Sequence, residues 1–290
     1  MEYITSSDFH FKDTAVALGK FEGIHRGHQL LMDEVKKQEL HGLRSVVFTF
    51  DRPTRLTLTG DTEYKQIYTK KERREILEKR GIDILIEHPF TKEFAALTPD
   101  RFIREVLVEK VGAKVIVVGT DFHFGKNRSG SITDLEKLEE ECGYHLIVVE
   151  KLQLNGKDIS STRIRASLEK GAMEEAKALL GRNYSVSGEI LHGNALGRTI
   201  QVPTINQQVP SFKLLPPNGV YVSKIHWKDE VYYGITNIGT KPTVNNTSEK
   251  TVETNIFDFN IEDEDMAIMD TLNEDLHTSH VPDDLKDVIF

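Results

Sequence analysis

The first residues of this chain that could do chemistry are two histidines on a glycine-bearing turn, Gly19-Lys20-Phe21-Glu22-Gly23-Ile24-His25-Arg26-Gly27-His28. Imidazoles at positions 25 and 28 can donate hydrogen bonds to charge developing on a phosphorus centre. Gly27 removes the side chain that would hold a nucleotide away. The turn carries no obvious nucleophile. A His-x-x-His spacing also suits a metal, but the turn holds no Cys or Asp to complete a ligand set.

Three later stretches have related chemistry. Val118 to Gly130 contains Gly119, Gly125 and Gly130 for close backbone approach, with Asp121, Lys126 and Arg128 as charged groups beside them. Ile159-Ser160-Ser161-Thr162-Arg163-Ile164-Arg165 opens a helical pattern in which Ser160 or Ser161 can cap the helix. Its hydroxyls and arginines suit an anion. Further on, His192 to Arg198 is a loop with Gly193 and Gly197 that could wrap phosphates, and Pro203-Thr204-Ile205-Asn206 offers a hydroxyl and an amide oxygen suited to Mg²⁺. Glu253 is a single carboxylate in a strand pattern, a place where such residues more often face solvent.

These turns need strands and helices to hold them. Ala15 to Leu18 is an apolar strand that breaks at Gly19, and a helical pattern resumes near His28. Strands then alternate with helices: Ser45 to Thr49, helix Thr69 to Arg80, Ile82 to Ile86, helix Pro99 to Lys110, Val115 to Val118, helix Ile132 to Glu141, and Leu146 to Val149. This βαβ alternation predicts a parallel sheet with helices on both faces and ligands at its carboxyl edge, where helix N-termini favour anions. A helix at Met173 to Leu180 ends at Gly181. From Tyr184 the texture changes to short β runs at Ser185 to Leu191, Gly219 to Ile225, Val231 to Asn237 and Thr251 to Phe259, which read as a small antiparallel barrel. The expected fold is α/β plus β, with a Rossmann-like domain over residues 1–183 and a β-barrel domain over residues 184–290.

Composition narrows the function. No apolar run is long enough to span a bilayer and the opening residues lack a signal-peptide layout, so a cytoplasmic protein is expected. The single Cys142 excludes an intramolecular disulfide framework. The net charge of -9 belongs to the end of the sequence, since Thr251 to Phe290 holds 12 Asp or Glu against one Lys. No basic stripe marks a nucleic-acid surface, and the chain is expected to be a monomer or weak oligomer.

Together the motifs resemble the bacterial bifunctional riboflavin kinase and FMN adenylyltransferase family. The resemblance rests on Gly19 through His28, Val118 through Gly130, Ile159 through Arg165, Gly197 through Asn206, Gly219 to Tyr221, Asn237 to Thr243 and Val252-Glu253. It implies a nucleotidyltransferase-type Rossmann domain that adenylylates FMN, joined to a six-stranded barrel that phosphorylates riboflavin, with ATP and Mg²⁺ required and flavins as substrates and products. By this resemblance His25 and His28 contact ATP and stabilise the transition state at the α-phosphorus. Gly19, Phe21, Gly27, Gly119, Asp121 and Arg128 belong to nucleotide binding, and Ser161, Thr162 and Arg165 hold the outgoing pyrophosphate. In the barrel Gly197 and Arg198 bind nucleotide, Thr204 and Asn206 hold Mg²⁺ and ATP, and Glu253 is the general base on the riboflavin hydroxyl.

The sequence departs from the family pattern at Lys20, Glu22 and Arg52-Pro53, and Gln201-Val202 matches its neighbourhood only approximately. Ile261 to Phe290 contains no arginine of the kind expected in a flavin lid. Val281 to Ile289 reads as a remnant of the family's closing helix. Two other readings therefore stand beside the bifunctional one: an adenylyltransferase with an impaired kinase domain, and a non-catalytic flavin- or nucleotide-binding paralogue.

Overall fold

The structure, a computed structural model, describes residues 1–53, 60–61, 63–191, 204–227, 230–242, 248–257 and 287–289. They form two compact units, Met1–Tyr64 with Arg73–Ile159, and Lys65–Glu72 with Ser160–Phe290.

The first unit follows from apolar strands buried on both faces. Its six strands are β1 (Glu2–Ile4), β2 (Thr14–Leu18), β3 (Arg44–Phe50), β4 (Ile84–His88), β5 (Ala113–Gly119) and β6 (His145–Val149), in the spatial order β1-β4-β3-β2-β5-β6. Every pairing among them is parallel. Alternation along β2 sends Ala15 and Ala17 to one face, where they meet Leu31, Met32 and Val35 of α1 (Arg26–Lys37) and Leu77 of α2 (Lys70–Lys79). Val16 and Leu18 go to the other face, against Phe102, Ile103, Val106, Leu107 and Leu135. Leu135 lies on α3 (Ile132–Cys142).

The helix expected over Pro99 to Lys110 is α only at Pro99–Arg101. From Phe102 to Lys110 it is a wider π helix, and the Val111 N–H donates to the Val106 carbonyl five residues back. The wider turn still presents Phe102, Ile103, Val106 and Leu107 to the core. A small hairpin, β7 (Gln153–Leu154) with β8 (Lys157–Asp158), closes this part of the chain.

In the second unit, α4 (Ser161–Glu169) and α5 (Met173–Leu180) precede the β run. The strands are β9 (Ser185–Ser187), β10 (Glu189–Leu191), β11 (Thr204–Gln208), β12 (Gly219–Trp227), β13 (Glu230–Pro242), β14 (Ser248–Ile256) and β15 (Asp287–Ile289), ordered β10-β11-β14-β13-β12-β15-β9. The two ends of that order, β10 and β9, are one stretch of chain interrupted only by Gly188. The stretch pairs with β11 on one side and β15 on the other, which closes the sheet into the expected barrel of six strand lines. Of the helix expected over Val281 to Ile289, residues 281–286 lie outside the described residues. Asp287–Ile289 is corrected to a strand, because its backbone pairs with Ser185–Ser187 and with Lys224 and Ile225.

Alternate residues fill the barrel: Tyr221, Ser223, Ile225, Thr236, Ile238, Val252 and Thr254 are buried. Its buried hydroxyls are joined, since Thr236 bonds both Ser223 and Thr254. Segment Lys65–Glu72 is tied in by a buried ion pair. Lys213 Nζ donates to Glu72 Oε2 at 2.7 Å and to the carbonyls of Ile67 and Ser185, while Glu72 Oε1 accepts from the Ser187 N–H and hydroxyl. Every charged atom of the pair therefore has partners that offset its lost hydration.

The seam also makes a test. A Cβ at Gly188 would lie 2.6 Å from the backbone oxygen of Gln208, so the seam must shift to accept any side chain. Gly188→Ala is expected to lower stability by about 1–3 kcal/mol, the scale of overpacking. Thermal unfolding checks it, and an unchanged midpoint would show that the seam is loose.

Candidate active sites

The strand order reverses direction between β2 and β5, and in open sheets the crevice outside the carboxyl ends at such a switch is where ligands sit. Both glycine-bearing loops of the first unit start there, one from Leu18 and the other from Gly119. Helix α1 begins at Arg26, two residues before the position expected from sequence, because His25 caps it. The His28 N–H donates to His25 Nδ1 at 3.2 Å. In the neutral ring the hydrogen therefore resides on His25 Nε2, a donor for a ligand. The cap also leaves the Arg26 and Gly27 amides without intrahelical acceptors, at the positive end of the helix dipole.

The two imidazoles stack, with ring centroids 3.7 Å apart and planes within 15°, and Phe21 meets His28 edge-on at 5.0 Å. Gly27 keeps this arrangement open, since a Cβ there would stand 3.3 Å from His25 Nδ1. The turn is held under strain: Phe21 (φ 45°) and Ile24 (φ 41°) are left-handed and fully buried. Such backbone persists only where packing over-determines it. Thr49 Oγ1 donates to the Lys20 carbonyl at 2.9 Å and Gln29 Nε2 to the Ile24 carbonyl at 2.9 Å, which anchors the turn at both ends.

At the departures from the family pattern, Lys20 points to solvent, Glu22 accepts from the Tyr64 hydroxyl at 2.8 Å, and Arg52 pairs with its neighbour Asp51 at 3.1 Å. In the loop after β5, Phe124 and Gly130 exchange backbone hydrogen bonds and Asn127 and Arg128 are left-handed, so Arg128 is presented on an exposed tight turn. Gly119 opens the loop at the end of β5, and Asp121 pairs with Lys151 at 3.1 Å.

In the second unit Ser160 caps α4 by accepting from the Arg163 N–H, which leaves Ser161 and Thr162 on the first turn with their hydroxyls available to a ligand. The two arginines differ. Arg163 pairs with Glu175 through Nε and Nη2 at 3.0 and 2.8 Å, whereas Arg165 donates to the Lys65 carbonyl at 2.5 Å.

On the barrel, register brings the remaining candidates together. Asn206 lies directly opposite Glu253, and Thr204 opposite Asn255. Paired residues share a face, and it is the outer one, because Val252 and Thr254 on either side of Glu253 are buried. Thr204 and Asn206 supply neutral oxygens, and among the described residues no cluster of three His, Cys, Asp or Glu could hold an ion alone. That donor set fits a hard cation shared with phosphates, as Mg²⁺ is in nucleotide sites. Gly197 and Arg198 lie outside the described residues, as does most of Ile261 to Phe290. Sequence reasoning gave no role to Tyr64, Gln29 or Asn255. Only the last had a signal, as a polar residue at an outward position of a strand.

Comparison with known proteins places both sites in context. Residues 8–163 match the FAD synthetase family and residues 180–281 the riboflavin kinase family. The bifunctional riboflavin kinase/FMN adenylyltransferase of Bacillus subtilis is 36% identical over 254 residues, 86% of this chain and 79% of that protein. The protein of the same description from Escherichia coli K12 is 34% identical over 233 residues, 79% of this chain and 74% of its own. A solved structure described as a macrolide-efflux protein from Streptococcus pneumoniae superposes with a TM-score of 0.80 at 31% identity, covering 90% of this chain and 86% of that one. No helix among the described residues is long and apolar enough to cross a membrane.

Proposed function

The chain belongs to the bifunctional riboflavin kinase/FMN adenylyltransferase family, and from that premise we propose how its residues divide two successive transfers. The protein phosphorylates riboflavin to FMN with ATP and adenylylates FMN to FAD. In this reading residues 1–183 carry the adenylylation and residues 184–290 the phosphorylation.

The observation that supports the adenylylation site best is the stacked His25–His28 pair at the start of α1. An FMN phosphate oxygen attacks the α-phosphorus of ATP, a new P–O bond forms, and the bond to the β-phosphate breaks with pyrophosphate leaving. His28 and the Nε2–H of His25 donate to the negative charge that grows on the phosphoryl oxygens. Gly19, Phe21, Gly27, Gly119, Asp121 and Arg128 shape the nucleotide's place. No covalent enzyme intermediate is needed, since positioning and charge neutralisation suffice for such transfers.

In the barrel Glu253 takes the proton of the flavin's terminal hydroxyl as that oxygen bonds to the γ-phosphorus, and ADP departs with the electron pair of the broken bond. Thr204 and Asn206 would hold magnesium through their side-chain oxygens, and when bound the ion neutralises phosphate charge. Gly197 and Arg198 are assigned to the nucleotide. The protein acts on free flavins and ATP in the cytoplasm, as a monomer or weak oligomer and without nucleic acid.

One incubation tests the scheme: the full chain with ATP, magnesium and either riboflavin or FMN, followed by separation of the flavins. FMN and then FAD are expected from riboflavin, and FAD from FMN. FAD from FMN but no FMN from riboflavin would remove the kinase reading. Flavin binding without any conversion would leave a binding protein.

A further inference from the structure

The turn that carries His25 and His28 is anchored through the carbonyls of Lys20 and Ile24, and between those anchors it carries a side chain that is held as well. Glu22 accepts a hydrogen bond from the Tyr64 hydroxyl at 2.8 Å, and both residues are half-buried. Glu22 stands between Phe21 and Ile24, the two left-handed residues of the turn. It is also one of the positions at which the chain departs from the family pattern.

The place of this bond gives it leverage. Residues other than glycine hold a positive φ only where their surroundings enforce it. A relaxation at Phe21 would reach the imidazoles directly, because its ring meets His28 edge-on at 5.0 Å and His28 stacks on His25 at 3.7 Å. The Phe21 ring is itself seated over Gly19, where a Cβ would lie 3.0 Å from its Cζ. Backbone, ring and imidazoles therefore move together or not at all.

Two kinds of force act on Glu22. Loss of hydration pushes the buried Arg73 guanidinium down to about 10, and Glu22 is among the negative groups that offset this. That attraction has little directional preference, whereas the Tyr64 hydroxyl requires a carboxylate oxygen at one distance and angle. The bond also joins residues 42 apart in sequence, so it ties the turn to a separate stretch of chain.

We propose that Tyr64 is a positioning residue for FMN adenylylation: its hydroxyl fixes Glu22, which holds the strained turn in the shape that presents His25 and His28 to the α-phosphorus. The inference rests on the reading of the two histidines as transition-state donors. Because Tyr64 acts through the imidazoles, its effect falls on turnover rather than on substrate binding.

The test follows FAD formation from FMN in the full chain for Tyr64→Phe, Glu22→Ala, the two combined, and His28→Ala. Riboflavin phosphorylation by the same preparations is the internal standard. Tyr64→Phe removes one oxygen and leaves the attraction between Glu22 and Arg73 in place. It is expected to lower kcat for FAD formation about tenfold, the lower end of what a hydrogen bond to a charged group supports. The KM values for ATP and FMN should stay within about twofold and riboflavin phosphorylation should not change. Added to Glu22→Ala it should cost nothing further, because the group it orients is gone. If Glu22→Ala does not fold, Tyr64→Phe alone decides through the split between kcat and KM. Unchanged kcat, a loss confined to KM, equal loss of both activities, or multiplied losses in the double variant would each overturn the inference while His28→Ala stays severely impaired. Near-normal FAD formation by His28→Ala would overturn the reading of the histidines, and the inference with it.

Discussion

Glu253→Gln is expected to lower the turnover of riboflavin phosphorylation by about a hundred- to ten-thousandfold, the range for removing a positioned general base. The substitution keeps the shape of the side chain and its place between Asn206 and Asn237, so the strand register should survive. What disappears is the proton acceptor. A flavin hydroxyl attacking the γ-phosphorus must then lose its proton to water, and the oxygen is a poorer nucleophile in the transition state. FAD formation from supplied FMN draws on a different set of residues and should change little. Parallel assays from riboflavin and from FMN separate the two effects. Equal loss of both activities would argue for one composite site, and retention of riboflavin phosphorylation would remove Glu253 from catalysis.

His28→Ala should have the converse pattern, with FAD formation from FMN reduced by about a hundredfold or more and riboflavin phosphorylation kept. The ring is stacked on His25 and met edge-on by Phe21, so its orientation is set before any ligand arrives. A donor fixed in this way costs no reorganisation when charge develops on the phosphoryl oxygens. The backbone N–H of residue 28 still caps onto His25 Nδ1 in the variant, so the helix start should persist. A rate within a factor of about three of the parent enzyme would exclude a role for His28 in transition-state stabilisation. An increase in the KM for ATP with kcat unchanged would assign it to ground-state binding alone.

Much of this was legible in local pattern. The apolar runs of β2, β3 and β5 alternate with helices at short range, and that periodicity is enough to indicate a covered parallel sheet. The two glycine turns announce themselves by composition. Elements whose reason is a distant partner were not readable. β1 and β15 are three residues each, too short for periodicity, and exist because Ile84 to Ile86 and Ser185 to Ser187 pair with them. The same holds for the sites. His25 and His28 are three residues apart and could be read together, whereas Asn206 and Glu253 stand opposite each other through a strand register that no local spacing reports. Arg163 shows another such partner: its charge is plain in the sequence, but its pairing with Glu175 on the next helix is not.

The single stretch that closes the barrel also sets the order in which the barrel can form. Hairpins such as β12 with β13 and β13 with β14 join neighbours and can assemble early, because little chain must be looped to bring them together. The contact between Val186 and Val288 spans about a hundred residues and yields only a three-residue ladder. Closure is therefore a late, high-contact-order event. Until it happens, β12 has an open edge toward the place of β15, and β9 has no partner in the sheet. A growing or refolding chain passes through a stage in which strand edges invite pairing with other copies. Refolding yield should accordingly fall with protein concentration, even though the completed barrel exposes no such edge at its seam.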